Sequence, residues 1–162
     1  MNSPITSGAI AGLSEILDYV LYKCNTPYVP LSGEIKLIEN YLMLEKLRYD
    51  DRLRLSFDYN TGKEIGIAPL ILLSLVENAF KHGASVDSGS PFISIHLSLK
   101  HNYISFKVAN SFTGEEEIAG KGIGLSNVRR QLELLYPSRY HVDIQRINNV
   151  YSVELEIDLK EV

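Results

Sequence analysis

The stretch LVENAFKHG, residues 75–83, decides the fold, because it places polar side chains at the end of a helix that is otherwise apolar nearly all round. We predict that this helix begins with Pro69 in its first turn and stops at Gly83. Apolar side chains fill the positions between, and they are Leu70, Ile71, Leu72, Leu73, Leu75 and Val76. A helix with almost no face for water is expected inside a layered core.

The polar residues of this helix recur at spacings of three and four, so Ser74, Asn78, Lys81 and His82 share one stripe. An amide oxygen, an ammonium group and an imidazole on one stripe suit a metal-bound polyphosphate. The alternative is an ordinary polar helix end, supported at the surface by a Glu77–Lys81 pair at four-residue spacing. This helix alone leaves both interpretations open.

Composition places the chain among soluble globular proteins, since 45% of its 162 residues are hydrophobic and 22% are charged. Its net charge of -4 and its dispersed Lys and Arg residues argue against nucleic acid as the main partner. A single Cys24 excludes an internal disulfide and a cysteine-rich zinc site, which favours a reducing compartment. No apolar run reaches the roughly 18 residues that a membrane span needs, so we expect a soluble chain.

Two helices are predicted before residue 50. The first ten residues are mostly small or polar, and we expect them to be poorly ordered. An amphipathic helix follows from Leu13 and ends near Lys23. Ser32 can cap a second helix, which runs to about Arg48. The hydrophobic period then changes to two, which places a boundary near Asp50.

Five stretches with alternating apolar residues predict strands, at residues 53–59, 93–99, 104–108, 142–144 and 153–159. The second and third should form a hairpin through a turn at His101. A polar loop is expected from Asn110 to Gly124, followed by a third core-facing helix from Leu125 to Leu135. These elements specify an α/β (α+β) two-layer sandwich, with a mixed, largely antiparallel five-stranded sheet and helices packed on one face.

A glycine-rich turn, GKGIGL at residues 120–125, comes directly before that third helix. Closely spaced glycines free backbone N–H groups at the positive N-terminus of a helix, which suits an anion. Such turns also occur as plain flexible loops. The turn is not a dinucleotide fingerprint, since no strand runs into it. It is not a P-loop either, because Lys121 is followed by Gly122 instead of Ser or Thr.

Two motifs together, Asn-x-x-Lys-His on a buried helix and GIGLSNV (residues 122–128) opening another, resemble the ATP-binding domain of sensor histidine kinases. That fold is shared with gyrase and MutL-type ATPases. The segments LVENAFKHG, GIGLSNVRRQLELLYP (122–137) and YLMLEKLRY (41–49) are similar to the LytS/YehU-type branch. The resemblance implies a remnant of a helical dimerisation region in residues 1–50 and an ATP-binding catalytic domain in residues 51–162.

This resemblance implies ATP and Mg²⁺ as cofactors and carries roles over to matching residues. Asn78 matches the asparagine whose side-chain oxygen helps coordinate Mg²⁺, Lys81 would approach the phosphates, and His82 would line the pocket. Glu77 is the carboxylate that could orient or deprotonate an acceptor imidazole. Contacts to the nucleotide are also implied for Gly120, Gly122, Gly124, Leu125 and Asn127.

Two departures from the family pattern stand out. The family's first glycine box carries an Asp that accepts a hydrogen bond from the adenine amino group. Asn110 stands at that place, with a neutral carbonyl acceptor and without the neighbouring glycines. The family's phosphoaccepting histidine stands in an Asn-Pro-His-Phe type box upstream of the first helix, and no histidine of this sequence lies in such a box. We therefore expect a catalytic fragment that does not phosphorylate itself.

The partners that the resemblance implies are the phosphoacceptor histidine helix of the parent protein and a response regulator. A homodimer is expected in the full-length protein, and a membrane-anchored parent with this part in the cytoplasm. One alternative is a nucleotide-independent dimerisation or interaction module on a degenerate kinase fold. Another is a kinase of the anti-sigma type, which phosphorylates Ser, although the upstream LytS-like helices argue against it.

Overall fold

The computed structural model describes residues 3–84, 89–113 and 123–159. The helices in these ranges are α1 (Pro4–Asp18), α2 (Leu31–Tyr49), α3 (Ile71–Ala79) and α4 (Ile123–Leu135). Short π-helical segments extend α1 over Tyr19–Lys23 and α3 over Phe80–Ala84. The strands are β1 (Val29–Pro30), β2 (Arg54–Asn60), β3 (Gly66–Ile67), β4 (Phe92–Lys100), β5 (Tyr103–Ser111), β6 (Tyr140–Ile147) and β7 (Val150–Asp158).

Within the described ranges the main sheet has five strands in the order β2-β4-β5-β7-β6. β2 pairs parallel with β4, and the other neighbours pair antiparallel. The predicted mixed, largely antiparallel sheet is therefore confirmed. The sequence did not indicate the small antiparallel pair of β1 and β3, in which Val29 lies opposite Ile67.

One face of the main sheet is apolar, because alternate residues of each central strand point to the same side. Along β4 this side carries Ile93, Ile95, Leu97 and Leu99, all of them buried, whereas His96 on the other side is exposed. Helices α2, α3 and α4 contribute to the same core, with Ile38, Val76 and Leu132 among its least exposed members. The predicted two-layer arrangement follows from this burial.

The N-terminal helix begins earlier than we predicted from the sequence. α1 starts at Pro4 instead of near Leu13, because the Ser3 hydroxyl accepts a hydrogen bond from Thr6 N–H (3.2 Å) and proline fits the first turn. The expectation of a poorly ordered start is thus wrong for residues 4–10. The second helix starts at Leu31, so Ser32 is not its cap. Ser32 N–H instead donates to Glu64 Oε1 (3.0 Å), a carboxylate from the β2–β3 connection.

Two boundaries near the predicted site also differ from expectation. α3 begins at Ile71, because Leu70 adopts a left-handed conformation (φ 67°) and Pro69 lies in the preceding turn. Gly83 does not stop the helix but lies inside the π-helical segment. The predicted polar loop also differs at both of its ends, since Asn110 and Ser111 belong to β5 and α4 already includes Ile123 and Gly124, whereas residues 114–122 lie outside the described residues. No helix in the described part of the chain has the length and apolarity of a membrane span.

Candidate functional site

Asn78 is a buried polar side chain near the C-terminal end of α3. Only 8% of its surface is exposed, although its neighbours Val76 and Ala79 belong to the apolar core. Its carboxamide makes no hydrogen bond to any of the described residues. Among the described residues no buried side-chain nitrogen or oxygen lacks a hydrogen-bond partner, so the amide atoms of Asn78 reach the surface of the molecule, where a ligand could bind them.

Ser74, four residues before Asn78, forms hydrogen bonds that stabilise the start of α3. The Leu70 carbonyl accepts hydrogen bonds from both Ser74 N–H (3.0 Å) and the Ser74 hydroxyl (2.8 Å). Ser74 therefore serves the backbone of its own helix, and Asn78 lies one turn further along the same face. Within the predicted stripe, Ser74 therefore has a structural role, whereas Asn78 is available to a ligand.

Lys81 and His82 lie on the π-helical segment that continues α3, and both side chains are exposed. The segment is anchored by Phe80, whose ring packs edge-on against Tyr41 (5.6 Å between centroids) and tilted against Tyr49 (6.0 Å). Single-turn π-helical segments inside helices are frequent at functional sites. The structure thus places Lys81 and His82 at the surface directly beyond the buried Asn78.

Asn110 lies on the inner face of the sheet, paired with Ile93 on β4 and Tyr151 on β7. Its side chain is 1% exposed, and its Nδ2 donates to the Ser111 carbonyl (2.9 Å). Gly83 packs directly on it: a Cβ atom at residue 83 would lie 2.7 Å from Asn110 Cγ. Asn110 and the segment that carries Lys81 and His82 are therefore in direct contact.

We expect Gly83→Ala to destabilise the fold by about 1 to 3 kcal/mol, because the added methyl group must displace the Asn110 side chain or the π-helical segment. The measurement is denaturant unfolding at constant m-value. Gly8→Ala on α1 is the matched control, since a Cβ there meets no atom within 4 Å and is expected to stabilise the helix slightly. Equal unfolding free energies for both variants would contradict the close packing of Gly83 on Asn110.

Glu77 precedes Asn78 but faces α2. Its side chain is exposed, and partial removal from water, followed by the charge of Glu45, raises the pKa of its carboxyl. Tyr41 on α2 lies close to both Glu45 and Glu77. Burial first, and then the charges of these two carboxylates, raise the pKa of its hydroxyl. The structure does not bring Glu77 to the buried side of α3 where Asn78 lies, but it makes Glu77 a stronger base than an ordinary glutamate.

The glycine-rich turn is only partly within the described residues. Gly120 and Gly122 lie outside them. Gly124 falls in the first turn of α4, Leu125 packs with its partly buried side chain against the core, and Asn127 is exposed. The structure therefore places Asn127 where a ligand could reach it, whereas the Leu125 side chain is engaged in packing.

Three polar residues that the sequence analysis did not single out hold the turn before α3. Glu34 Oε2 accepts from Leu70 N–H (3.0 Å), the Tyr136 hydroxyl accepts from Ala68 N–H (2.8 Å), and Gln131 Nε2 donates to the Pro69 carbonyl (3.3 Å). A sequence signal exists for Glu34, which lies at helical spacing among Leu31, Ile35 and Ile38 and so falls on an apolar stripe.

Comparison with known proteins supports the resemblance. Residues 2–53 match the family model for histidine kinases. Sensor histidine kinase YpdA of Escherichia coli (strain K12) is 26% identical over 152 residues, which are 88% of this chain and 27% of YpdA. Sensor protein kinase HptS of Staphylococcus aureus (strain USA300) is 29% identical over 132 residues, which are 81% of this chain and 23% of HptS. The chain thus spans about a quarter of the length of these relatives.

Solved structures show the same fold. The catalytic domain of histidine kinase ThkA, in a nucleotide-free form, has a TM-score of 0.58 at 17% identity and covers 83% of this chain and 97% of its own. The histidine kinase domain of Erythrobacter litoralis EL346, a blue-light activated kinase, has a TM-score of 0.63 at 13% identity and covers 97% and 76%. ThkA in complex with the response regulator protein TrrA has a TM-score of 0.55 at 18% identity, with 99% and 53% covered.

Proposed function

We propose that this chain, a homologue of the sensor histidine kinases, is the ATP-binding catalytic part of a two-component kinase. It would transfer the gamma-phosphoryl group of ATP to a histidine outside this chain, from which a response regulator takes it. The solved complex of the related ThkA with a response regulator supports this kind of partner. The expected membrane anchor and homodimer would belong to the parent protein.

The observation that carries this proposal is the carboxamide of Asn78, which lies mostly inside the core, makes no hydrogen bond to the described residues and still reaches the surface, three residues before the exposed Lys81. Carboxamide oxygens are good ligands for Mg²⁺, which is usually bound by few protein groups together with substrate phosphates. A purely structural helix end would gain stability from an apolar side chain at residue 78. The residues present therefore fit Mg-ATP.

Each residue of the site would have a distinct task. The Asn78 oxygen would bind Mg²⁺, Lys81 would neutralise phosphate charge, and His82 would line the pocket. Mg-ATP, when bound, supplies the transferable phosphoryl group. The protein would contribute mainly position and charge, which is how phosphoryl transfer is generally catalysed. Glu77, with its raised pKa and exposed carboxylate, would accept a proton from the acceptor imidazole on another helix.

The remaining predicted contacts complete the proposal. Gly120, Gly122 and Gly124 would let backbone N–H groups meet phosphate at the start of α4, with Leu125 and Asn127 beside them. Asn110 would offer its carbonyl oxygen to the adenine amino group in place of a carboxylate.

Calorimetric titration of the chain with a non-hydrolysable ATP analogue tests the proposal. We expect binding that requires Mg²⁺ and disappears when the metal is chelated. An absence of heat at millimolar analogue, with the protein shown to be folded by cooperative unfolding, would exclude nucleotide binding.

We also expect the chain to stay unlabelled when it is incubated with ATP labelled at the gamma position, because none of His82, His96, His101 and His141 stands in a phosphoacceptor box. A longer piece of the parent protein that includes such a box should become labelled under the same conditions. The assay is gel autoradiography with and without acid treatment, since phosphohistidine is lost in acid. An acid-labile label on this chain alone would contradict the expectation.

A second candidate function, a nucleotide-independent dimerisation or interaction module, is favoured by a different observation. α1 and its π-helical extension present an exposed apolar stripe that no described residue covers: Ile10, Leu13, Leu17 and Leu21 are each at least half exposed. An exposed stripe at this spacing is typical of a helix that packs on a partner helix. Self-association without any analogue binding would favour this function over the first.

A further inference from the structure

Glu34 is a fully buried carboxyl group at the beginning of α2, and its two oxygens bind two distant parts of the chain. Oε1 accepts from the Tyr19 hydroxyl (2.6 Å), and Oε2 accepts from Leu70 N–H (3.0 Å). The side chain is 0% exposed, and no Lys, Arg or His among the described residues forms an ion pair with it. An unpaired carboxyl group is costly in a core, so its position needs a reason beyond packing.

The Leu70 side of this contact sets the beginning of the helix that carries Asn78. Leu70 is a left-handed residue without the freedom of glycine, a conformation that costs about 1 kcal/mol or more and persists only where neighbours hold it. Its N–H is held by Glu34 and its carbonyl by Ser74, one turn before Asn78. A displacement of Glu34 would therefore shift the first turn of α3 and, with it, the depth at which Asn78 lies.

The Tyr19 side reaches the N-terminal helix. Tyr19 is the residue at which α1 passes into its π-helical extension, and it is only 7% exposed. Its ring lies on the backbone of α2 at Gly33, where a Cβ would be 3.1 Å from the ring edge. α1 runs antiparallel to α2, since Glu15 also reaches Asn40 across the helix pair (2.7 Å). Tyr19 is thus a point at which the extension of α1 contacts the core.

We propose that Glu34 is a positioning residue that couples the N-terminal helix to the nucleotide site, through Tyr19 on one oxygen and Leu70 on the other. The proposal rests on nucleotide binding at Asn78 as argued above. A movement of α1 along α2 changes the Tyr19–Glu34 contact, and the same carboxyl group transmits it to the start of α3. Because coupling between two sites is reciprocal, nucleotide binding must in turn change the environment of Tyr19.

The test uses Tyr19→Phe, which removes one hydroxyl group and keeps the ring. Burial raises the pKa of the Glu34 carboxyl, against the opposing hydrogen bonds from Tyr19 and Leu70, so the carboxyl can take up a proton when the hydroxyl is lost. We therefore expect the variant to fold. Tyr22→Phe is the matched control, since Tyr22 lies on the same π-helical segment but is 72% exposed.

The measurement is backbone amide hydrogen exchange of residues 19–23, with and without the Mg-bound ATP analogue. In the unmodified chain and in Tyr22→Phe we expect the analogue to slow exchange by about fivefold or more, the lower end of typical coupling. Tyr19→Phe should abolish this slowing and weaken analogue binding several-fold, and Glu34→Ala should do the same. If the analogue slowed amide exchange as much in Tyr19→Phe as in Tyr22→Phe, the proposed coupling would be wrong, but the proposed function would still stand. A lack of analogue binding by the unmodified chain would overturn the proposed function as well.

Discussion

Replacing Asn78 by alanine is expected to abolish Mg²⁺-dependent nucleotide binding while leaving the fold intact. The carboxamide is the group that would bind the metal, and even residues outside the ligand shell typically change metal affinity by about 10- to 100-fold. We therefore expect the affinity for the Mg-bound analogue to fall by about 100-fold or more. Titration calorimetry with and without Mg²⁺ measures both the affinity and its metal dependence.

Stability separates a binding role from a structural one at this position. Asn78 is 8% exposed without a described partner, and alanine is the best helix former, so the free energy of unfolding should stay within about 1 kcal/mol or rise. Asn60→Ala is the control, because Asn60 is an exposed asparagine at the end of β2 and should change neither property. If Asn78→Ala lost about 2 kcal/mol of stability and kept Mg²⁺-dependent binding, the side chain would be structural.

The sheet could be predicted from the sequence because its signal is local and strong. Apolar and polar residues alternate along β4 from Ile93 to Lys100, and this period fixes which side of the strand faces the core. The β1–β3 pair could not be predicted in the same way. Two residues are too short to show a period, and Pro30 is a poor strand former that is tolerated here at a sheet edge.

The helix boundaries depended on contacts that are distant in sequence. Pro69 suits a first turn by itself, but Leu70 is held in a left-handed conformation by Glu34 from α2, which delays α3 to Ile71. Similarly, Ser32 is a good cap residue, but Glu64 already satisfies its N–H group, and α2 begins at Leu31. In both cases a side chain from another element takes the place of a local cap.

The candidate site shows the same division between local and distant information. That Asn78, Lys81 and His82 lie near the end of one helix could be predicted from their spacing, but the π-helical segment that turns Lys81 and His82 to the surface could not. The sequence could not show that Ser74 is engaged by Leu70, that Glu77 faces α2, or that Asn110 is enclosed beneath Gly83. These facts depend on packing between elements, which no single stretch of sequence encodes.

Asn110→Asp would restore the residue type that the family carries at this place, yet we expect it to destabilise the protein. The Nδ2 group of Asn110 donates to the Ser111 carbonyl, and a carboxylate cannot donate. The new oxygen would instead repel that carbonyl in a position that is 1% exposed. Near pH 8 we expect the free energy of unfolding to fall by about 3 kcal/mol. The new carboxylate and the Ser111 carbonyl would face each other as two buried acceptors with no proton between them, and both would lose hydration without a hydrogen bond in return.

The pH dependence of this loss identifies its cause. Burial would raise the pKa of the new carboxyl in the folded state above its value of about 3.9 in the unfolded state. The protonated form can donate to the Ser111 carbonyl again, so the loss should be smallest at acid pH and grow as the pH rises through the folded-state pKa. Denaturant unfolding at about pH 5 and about pH 8 measures it, with Asn60→Asp as an exposed control for the added charge. An Asn110→Asp variant that is fully stable at the higher pH and binds the analogue more tightly would instead mean that Asn110 only stands in for the family's carboxylate.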